Sequence, residues 1–114
     1  MTAGELTDRV TLEVRAKTSD GSDGFVERWS AVRRRIAANV VALGGRELER
    51  ARQIDPRASH EVSVRYWRAY RGELTARARL VWHDGSFARL LEPVEPIREV
   101  EPREKLQVIC REAA

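Results

Sequence analysis

Apolar residues recur at every second position in four separate short runs, and that period fits strands rather than helices. In RVTLEVR (9–15), Val10, Leu12 and Val14 face one way while Thr11 and Glu13 face the other. HEVSVRYWR (60–68) repeats the pattern through Val62, Val64 and Tyr66. The run 74–82 sets Leu80 and Trp82 against Arg77 and Arg79, and KLQVICR (105–111) sets Leu106, Val108 and Cys110 on one face. Turn residues punctuate these runs. SDGSDG (19–24) holds two Asp-Gly steps, either suited to positive φ, and a glycine within 69–73 predicts another turn. HDGS (83–86) before the returning run 87–91 predicts a hairpin with a type I′ turn at Asp-Gly. Pro93 and Pro96 confine 94–100 to an edge or irregular strand. Six or seven short strands at this spacing specify an antiparallel barrel or sandwich.

The stretch 25–43 carries two periods at once. Trp29, Val32, Ile36 and Val40 keep helical spacing, while Ile36, Ala38, Val40 and Ala42 alternate against Ala37, Asn39, Val41 and Leu43. The uncharged run 36–43 favours a long, bent strand with a bulge near 29–35; a helix is the alternative.

One segment interrupts the strands. Residues 44–59, GGRELERARQIDPRAS, open on Gly44-Gly45 and carry seven charges: Arg46, Glu47, Glu49, Arg50, Arg52, Asp55 and Arg57. Two strands need no such length to be joined, and loops this long in compact domains are usually functional or disordered. Within it, 46–54 has its acids early and its arginines late, the order the helix dipole favours, and Pro56 stops it. A helix so short is marginal alone in water and needs a neighbour. Four arginines against three acids leave the segment at +1. A strongly basic loop would clamp DNA through salt-sensitive phosphate contacts. A mixed one suits pairing with its own copies, acid to base, and Gly44-Gly45 supplies a hinge.

At 114 residues the chain is a single domain, 1–114, able to bury a core without staples. Cys110 is its one cysteine, so no intrachain disulfide forms, which fits a reducing compartment. No run approaches the roughly 18 apolar residues of a membrane span, and MTAGELTDRV lacks an apolar signal core. Synthesis in the cytoplasm, with no membrane contact, is the expectation. The net charge of +3 is unevenly spread. Residues 28–79 set thirteen arginines against five acids, and 92–104 set five glutamates against two arginines. A basic middle beside an acidic end suits a surface facing nucleic acid or complementary faces that dock subunits.

No catalytic, cofactor-binding or metal-binding constellation emerges. His60 and His83 are not at ligand spacing with Cys110, and the glycines fall in turns rather than in a phosphate-binding loop. Cys110, in an alternating strand, reads as a small core residue. Trp29, Trp67 and Trp82 are either core and interface aromatics or stacking platforms for nucleic acid beside Arg65, Arg68 and Arg77. Trp82 is in phase with Leu80 and goes with the core. Trp67 is out of phase with Val64 and Tyr66, so it faces solvent or a partner. Arg33-Arg34-Arg35 is either a solvated bend or a contact patch. The candidate DNA or subunit contacts are therefore Arg33, Arg34, Arg35, Arg65, Trp67 and Arg68.

Taken in order, Gly4-x-Leu6-x-x-Arg9-Val10-Thr11-Leu12, Trp29, the Ala/Val strand ending in Gly45-Arg46-Glu47, and Ala51 lead to His60-x-Val62-x-Val64-Arg65-Tyr66. Arg77, the Gly85 hairpin and Leu106-x-Val108-x-Cys110-x-Glu112 complete the series. It resembles the phage head–tail joining family, the head-closure or stopper proteins of tailed phages and related gene transfer particles. Residues 92–104 depart from the family pattern in being more acidic and proline-rich. The resemblance implies a small antiparallel β-barrel, which the six to seven strands read above would build, with one long loop whose residues 46–54 are either a short helix or extended. It implies a non-enzymatic connector in the virion neck, a homo-oligomeric ring of twelve copies below the portal and adaptor proteins. Double-stranded DNA passes through the lumen, and tail terminator or tail proteins dock on the distal face. The segment 44–59 then projects into the channel as a plug. Two rivals stay open: a free nucleic-acid-binding barrel using Trp67 with Arg65, Arg68 and Arg71, and a neighbouring neck protein such as a tail terminator.

Overall fold

The computed structural model describes residues 6–22, 24–100 and 104–113. Gly4 of the opening motif, Asp23 of the second Asp-Gly step and residues 101–103 of the acidic segment lie outside the described residues. The strands are β1 (Asp8–Ser19), β2 (Phe25–Ala42), β3 (Ala58–Arg65), β4 (Ala78–Asp84), β5 (Phe87–Pro93), β6 (Arg98–Glu99) and β7 (Lys105–Glu112). Two helices, α1 (Gly45–Ile54) and α2 (Tyr70–Glu73), interrupt them. The strands form one antiparallel sheet in the order β3-β2-β1-β4-β5-β7-β6, and β3 also pairs with β7. Pairing therefore runs in a closed ring, as a small antiparallel barrel requires.

The alternating residues set the inward face. Val10 and Leu12 of β1, Ala38 of β2, Val62 and Val64 of β3, and Leu80 of β4 are buried together with Leu91, Leu106, Val108 and Cys110. A slip of one residue in any strand would turn its apolar set outward, so register is strongly specified. Cys110 is a core residue, as its phase predicts, and burial pushes its thiol well above the ordinary range. Trp82 packs against the same core.

The two-period stretch is strand throughout, with the bulge where the sequence placed it. Val10 pairs with Ile36, Leu12 with Arg33 and Glu13 with Ala31, so β2 spends two extra residues over this span. Each extra residue shifts the alternation by one, which is why the apolar positions mimic helical spacing. Arg35 sits in the bulge at φ 52, the one non-glycine residue with positive φ among those described. Its backbone N–H donates to Thr11 Oγ1 at 3.1 Å, and that hydroxyl lies 2.8 Å from His83 Nε2. These bonds help offset the roughly 1 kcal/mol cost of the left-handed conformation.

Three local expectations need correction. The strand expected over 74–82 begins only at Ala78, and the turn expected over 69–73 is the helical turn α2. Tyr70 and Leu74 are both buried and lie four residues apart, so a helical turn points both at the core, and Leu74 N–H donates to Tyr70 O at 2.7 Å. The β4–β5 turn is not type I′. Asp84 pairs with Phe87, so Gly85-Ser86 is the loop, and only Gly85 has positive φ, at 63. That is the II′ pattern. It keeps Asp84 in the ladder, where its carboxylate accepts from Arg89 Nη1 at 3.0 Å.

The third correction is the largest. β1 does not end at Arg15 but runs to Ser19, and it pairs with β2 as far as Ser19 with Phe25. β4 covers only Val10 to Val14. Residues 15–19 and 25–29 therefore stand beyond the ring as a two-stranded arm of roughly 17 Å. The molecule is correspondingly elongated, 50 × 31 × 31 Å. The tip is closed by Asp20, whose Oδ1 accepts from the N–H of Ser22 at 2.9 Å and of Gly24 at 3.2 Å, with Gly21 at φ 86.

Candidate functional site

The interruption folds as α1, ten residues long and roughly 15 Å. Glu47 lies in its first turn and Arg52 in its last, the polarity expected from the dipole. Ala58 and Ser59 belong to β3 rather than to the excursion, and Leu43 N–H donates to Ser59 O at 2.9 Å across its neck. Gly44 is extended at φ −150, which any residue adopts, whereas Gly45 at φ 57 occupies the left-handed region. The hinge anticipated at Gly44-Gly45 thus needs glycine at Gly45 alone.

The helix has the neighbour that its shortness demands. Ala51 is fully buried against Ala58 and Ile109, with Leu43 and Val94 closing the cluster. Asp55 ties the end down: its carboxylate accepts from Arg57 N–H at 2.8 Å and from Arg111 Nη1 at 3.2 Å. Arg111 Nη2 reaches Glu92 at 3.4 Å, linking the helix end to β7 and β5. The backbone bond from Arg57, with the charges of Arg57 and Arg111, holds the Asp55 carboxyl below its ordinary range. The other half of the helix is less committed. A polar cleft of about 240 Å³ is lined by Glu47 and Arg50 of α1 together with Leu43, Glu61, Arg98 and Gln107. Arg46, Glu47, Glu49, Arg50, Arg52 and Arg57 are all exposed. The result is a helix fixed at its C-terminal half that presents both signs of charge to its surroundings.

The second group of candidates lies around the bulge and the end of β3. Arg33 is engaged within the chain. Its Nε and Nη2 donate to Glu73 at 3.2 and 3.0 Å, and its guanidinium lies 5.5 Å from the centre of the Trp67 ring. Arg34 and Arg35 are exposed, as are Arg65 and Arg68. Trp67 is 54% exposed, as its phase predicts, and leans on Tyr70 at 6.5 Å. Arg71 forms an ion pair with Glu99. Two of the arginines that the sequence set beside Trp67 as candidates, Arg33 and Arg71, are therefore already paired with acids.

The arm was not legible as a site. At its root the guanidiniums of Arg79 and Arg15 lie 4.2 and 5.1 Å from the centre of the Trp29 ring. Arg79 Nε also donates to Glu13 at 2.7 Å. Phe25 at its tip is 72% exposed. A signal for it existed in Phe25-Val26, an apolar pair directly after a turn, whose phase no core alternation requires.

The closed antiparallel sheet thus carries the charged helix α1 after one end of β2 and the exposed arm at the other. Among the described residues no group of His, Cys, Asp and Glu is placed to hold a metal, and no helix is long and apolar enough to cross a membrane. The solution structure of protein SF1141 from Shigella flexneri 2a has the same fold, with a TM-score of 0.79 at 23% identity over 100% of this chain and 98% of that one. No curated protein sequence matches. The sequence pattern of phage head completion proteins matches residues 1–113, nearly the whole chain. The chain belongs to the phage head completion protein family, and its role is accordingly structural, in phage head closure.

Proposed function

We propose that copies of this chain form a ring in the neck, retain packaged double-stranded DNA at that ring, and offer its far face to the tail. The observation that carries the reading is α1. It is anchored through Ala51 and Asp55 yet leaves arginines and glutamates exposed along one short element. Around a ring, mixed charges let neighbouring helices pair acid to base, and they avoid the salt-sensitive grip on phosphate that a uniformly basic element would exert. The channel is then closed by bulk, and DNA is not held so tightly that it cannot leave. Portal and adaptor proteins on one face and tail proteins on the other are the partners this placement requires.

The test is replacement of residues 45–57 by a short Gly-Ser linker that spares Ala58 and Ser59, so that β3 keeps its ladder. The variant should fold, and particles built with it should lose DNA or eject it early. Particles that hold their DNA as long as the parent would refute the plug role of α1.

A further inference from the structure

A pocket of about 340 Å³ lies between the segment that leads into β4 and the segment that follows β5, lined by Leu74, Ala76, Pro93, Val94 and Ile97. Its lining is apolar but for a few groups, and one of these is anomalous. Glu95 also lines the pocket with Arg71 and Thr75, and its Oε1 is buried with no hydrogen-bond partner among the described residues, Arg71 being paired with Glu99 instead. A buried carboxylate oxygen without a donor is costly, and a complementary cation from outside relieves that cost. The pocket thus asks for an apolar group accompanied by a positive charge.

The arm carries that combination. Phe25 pairs with Ser19 and Lys17 with Glu27. Cross-strand partners and every second residue share a face, so Phe25 and Lys17 lie diagonally on the same side of the arm. Both are exposed. Glu27 makes its ion pair with Arg15, and Lys17 makes none among the described residues. The arm runs past the last β1–β4 pair, and Phe25 near its tip is 72% exposed, in no cavity of its own chain. We propose that the β1–β2 arm of one copy docks in this pocket of the next copy, with Phe25 in the apolar cavity and the Lys17 ammonium on Glu95. Each copy gives an arm and receives one. Such a heterologous contact repeats head to tail and closes into a ring when the rotation allows. This deepens the ring reading above and rests on it.

The test introduces Lys17→Cys and Glu95→Cys together and oxidises assembled particles. Lys17 is on the surface, and circular dichroism checks that the doubly substituted chain folds. A ladder of covalent multimers on a non-reducing gel is the expected result, with neither single variant giving one, since Cys110 is buried. As an independent arm, Lys17→Glu and Glu95→Lys should each lower incorporation into particles by about tenfold or more, and the two together should restore it. Monomers only, from particles that still contain the chain, would overturn the docking and leave head closure untouched. Dimers from Lys17→Cys alone would overturn it in favour of arm-to-arm pairing. A full ladder from particles whose DNA retention does not depend on this chain would uphold the docking and sink the retention reading instead.

Discussion

The helix α1 and the β1–β2 arm both leave the closed sheet, and they leave it on opposite terms. The helix comes from the segment that looked least constrained, long, charged and glycine-led. It is nevertheless tied down by a fully buried alanine and a chain of ion pairs from Asp55 through Arg111 to Glu92. The arm comes from what reads as ordinary strand and turn, and past Val14 β1 pairs with β2 and no longer with β4. Length and charge in a sequence therefore did not report freedom. What reports it is whether a residue in the element finds a cavity to fill: Ala51 does, and Phe25 within its own chain does not.

The sharpest contrast is with the ring that both elements leave. Leu12→Asp or Val64→Asp places a charge where exposure is at most 3%, and should cost at least about 4 kcal/mol and prevent folding, seen as loss of the circular dichroism signal of the sheet. Ala51→Leu is next. Overfilling the gap beneath α1 should cost about 1–3 kcal/mol in denaturant melts. If the helix instead swings out at Gly45, limited proteolysis will cut within 46–54 while the sheet survives, and the contrast between the tethered and the free element will narrow.

Acidity should loosen the helix end of the molecule. Asp55 and Glu112 both have carboxyls held below their ordinary range, Asp55 chiefly by the backbone of Arg57 and Glu112 by its bonds to Arg89. Their contribution is whole above the ordinary carboxylate range and is lost as pH falls through the lowered values. His60 adds an earlier step. Burial lowers its pKa from 6.5, so the unfolded chain takes up its proton first and stability declines as pH drops below 6.5. His60→Gln should flatten that first decline in thermal melts between pH 7 and 5, and Asp55→Asn should flatten the later one. Equal slopes in variant and parent would remove these groups from the account.

The smallest effect should come from the arm. Joining Ala16 to Arg28 through an Asn-Gly turn removes Phe25, Val26 and Lys17, yet should change unfolding free energy by no more than about 0.5 kcal/mol. A larger loss would mean that the arm supports the body and is no mere projection from it.

Much of the fold was open to reading. The alternation of Val10, Leu12, Val62, Val64, Leu106, Val108 and Cys110 named the inward face because a pleated strand has a period of two, and the structure buries all seven except that Val14 beside them is only partly covered. The bulge in β2 was legible because it left a defect in that period. The helix was half legible: its dipole-ordered charges and Pro56 suited one over 46–54, but the choice against an extended loop waited on the neighbours that Ala51 finds in Ala58 and Ile109. The hairpin type was not, since either Asp84 or Gly85 could be the first loop residue, and the choice was settled only by the register in which Asp84 pairs with Phe87.

By itself, then, the sequence determined the antiparallel strands, their inward face and the place of the interruption that becomes α1, because local periodicity and turn chemistry are written residue by residue; closure came from β3 meeting β7. Only the tertiary structure decided which excursion is anchored and which is bare. That depends on Ala51 meeting Ile109 across 58 positions of chain, and on β4 ending its pairing with β1 at Val14. Contacts between residues so far apart leave no periodic trace in the chain that makes them.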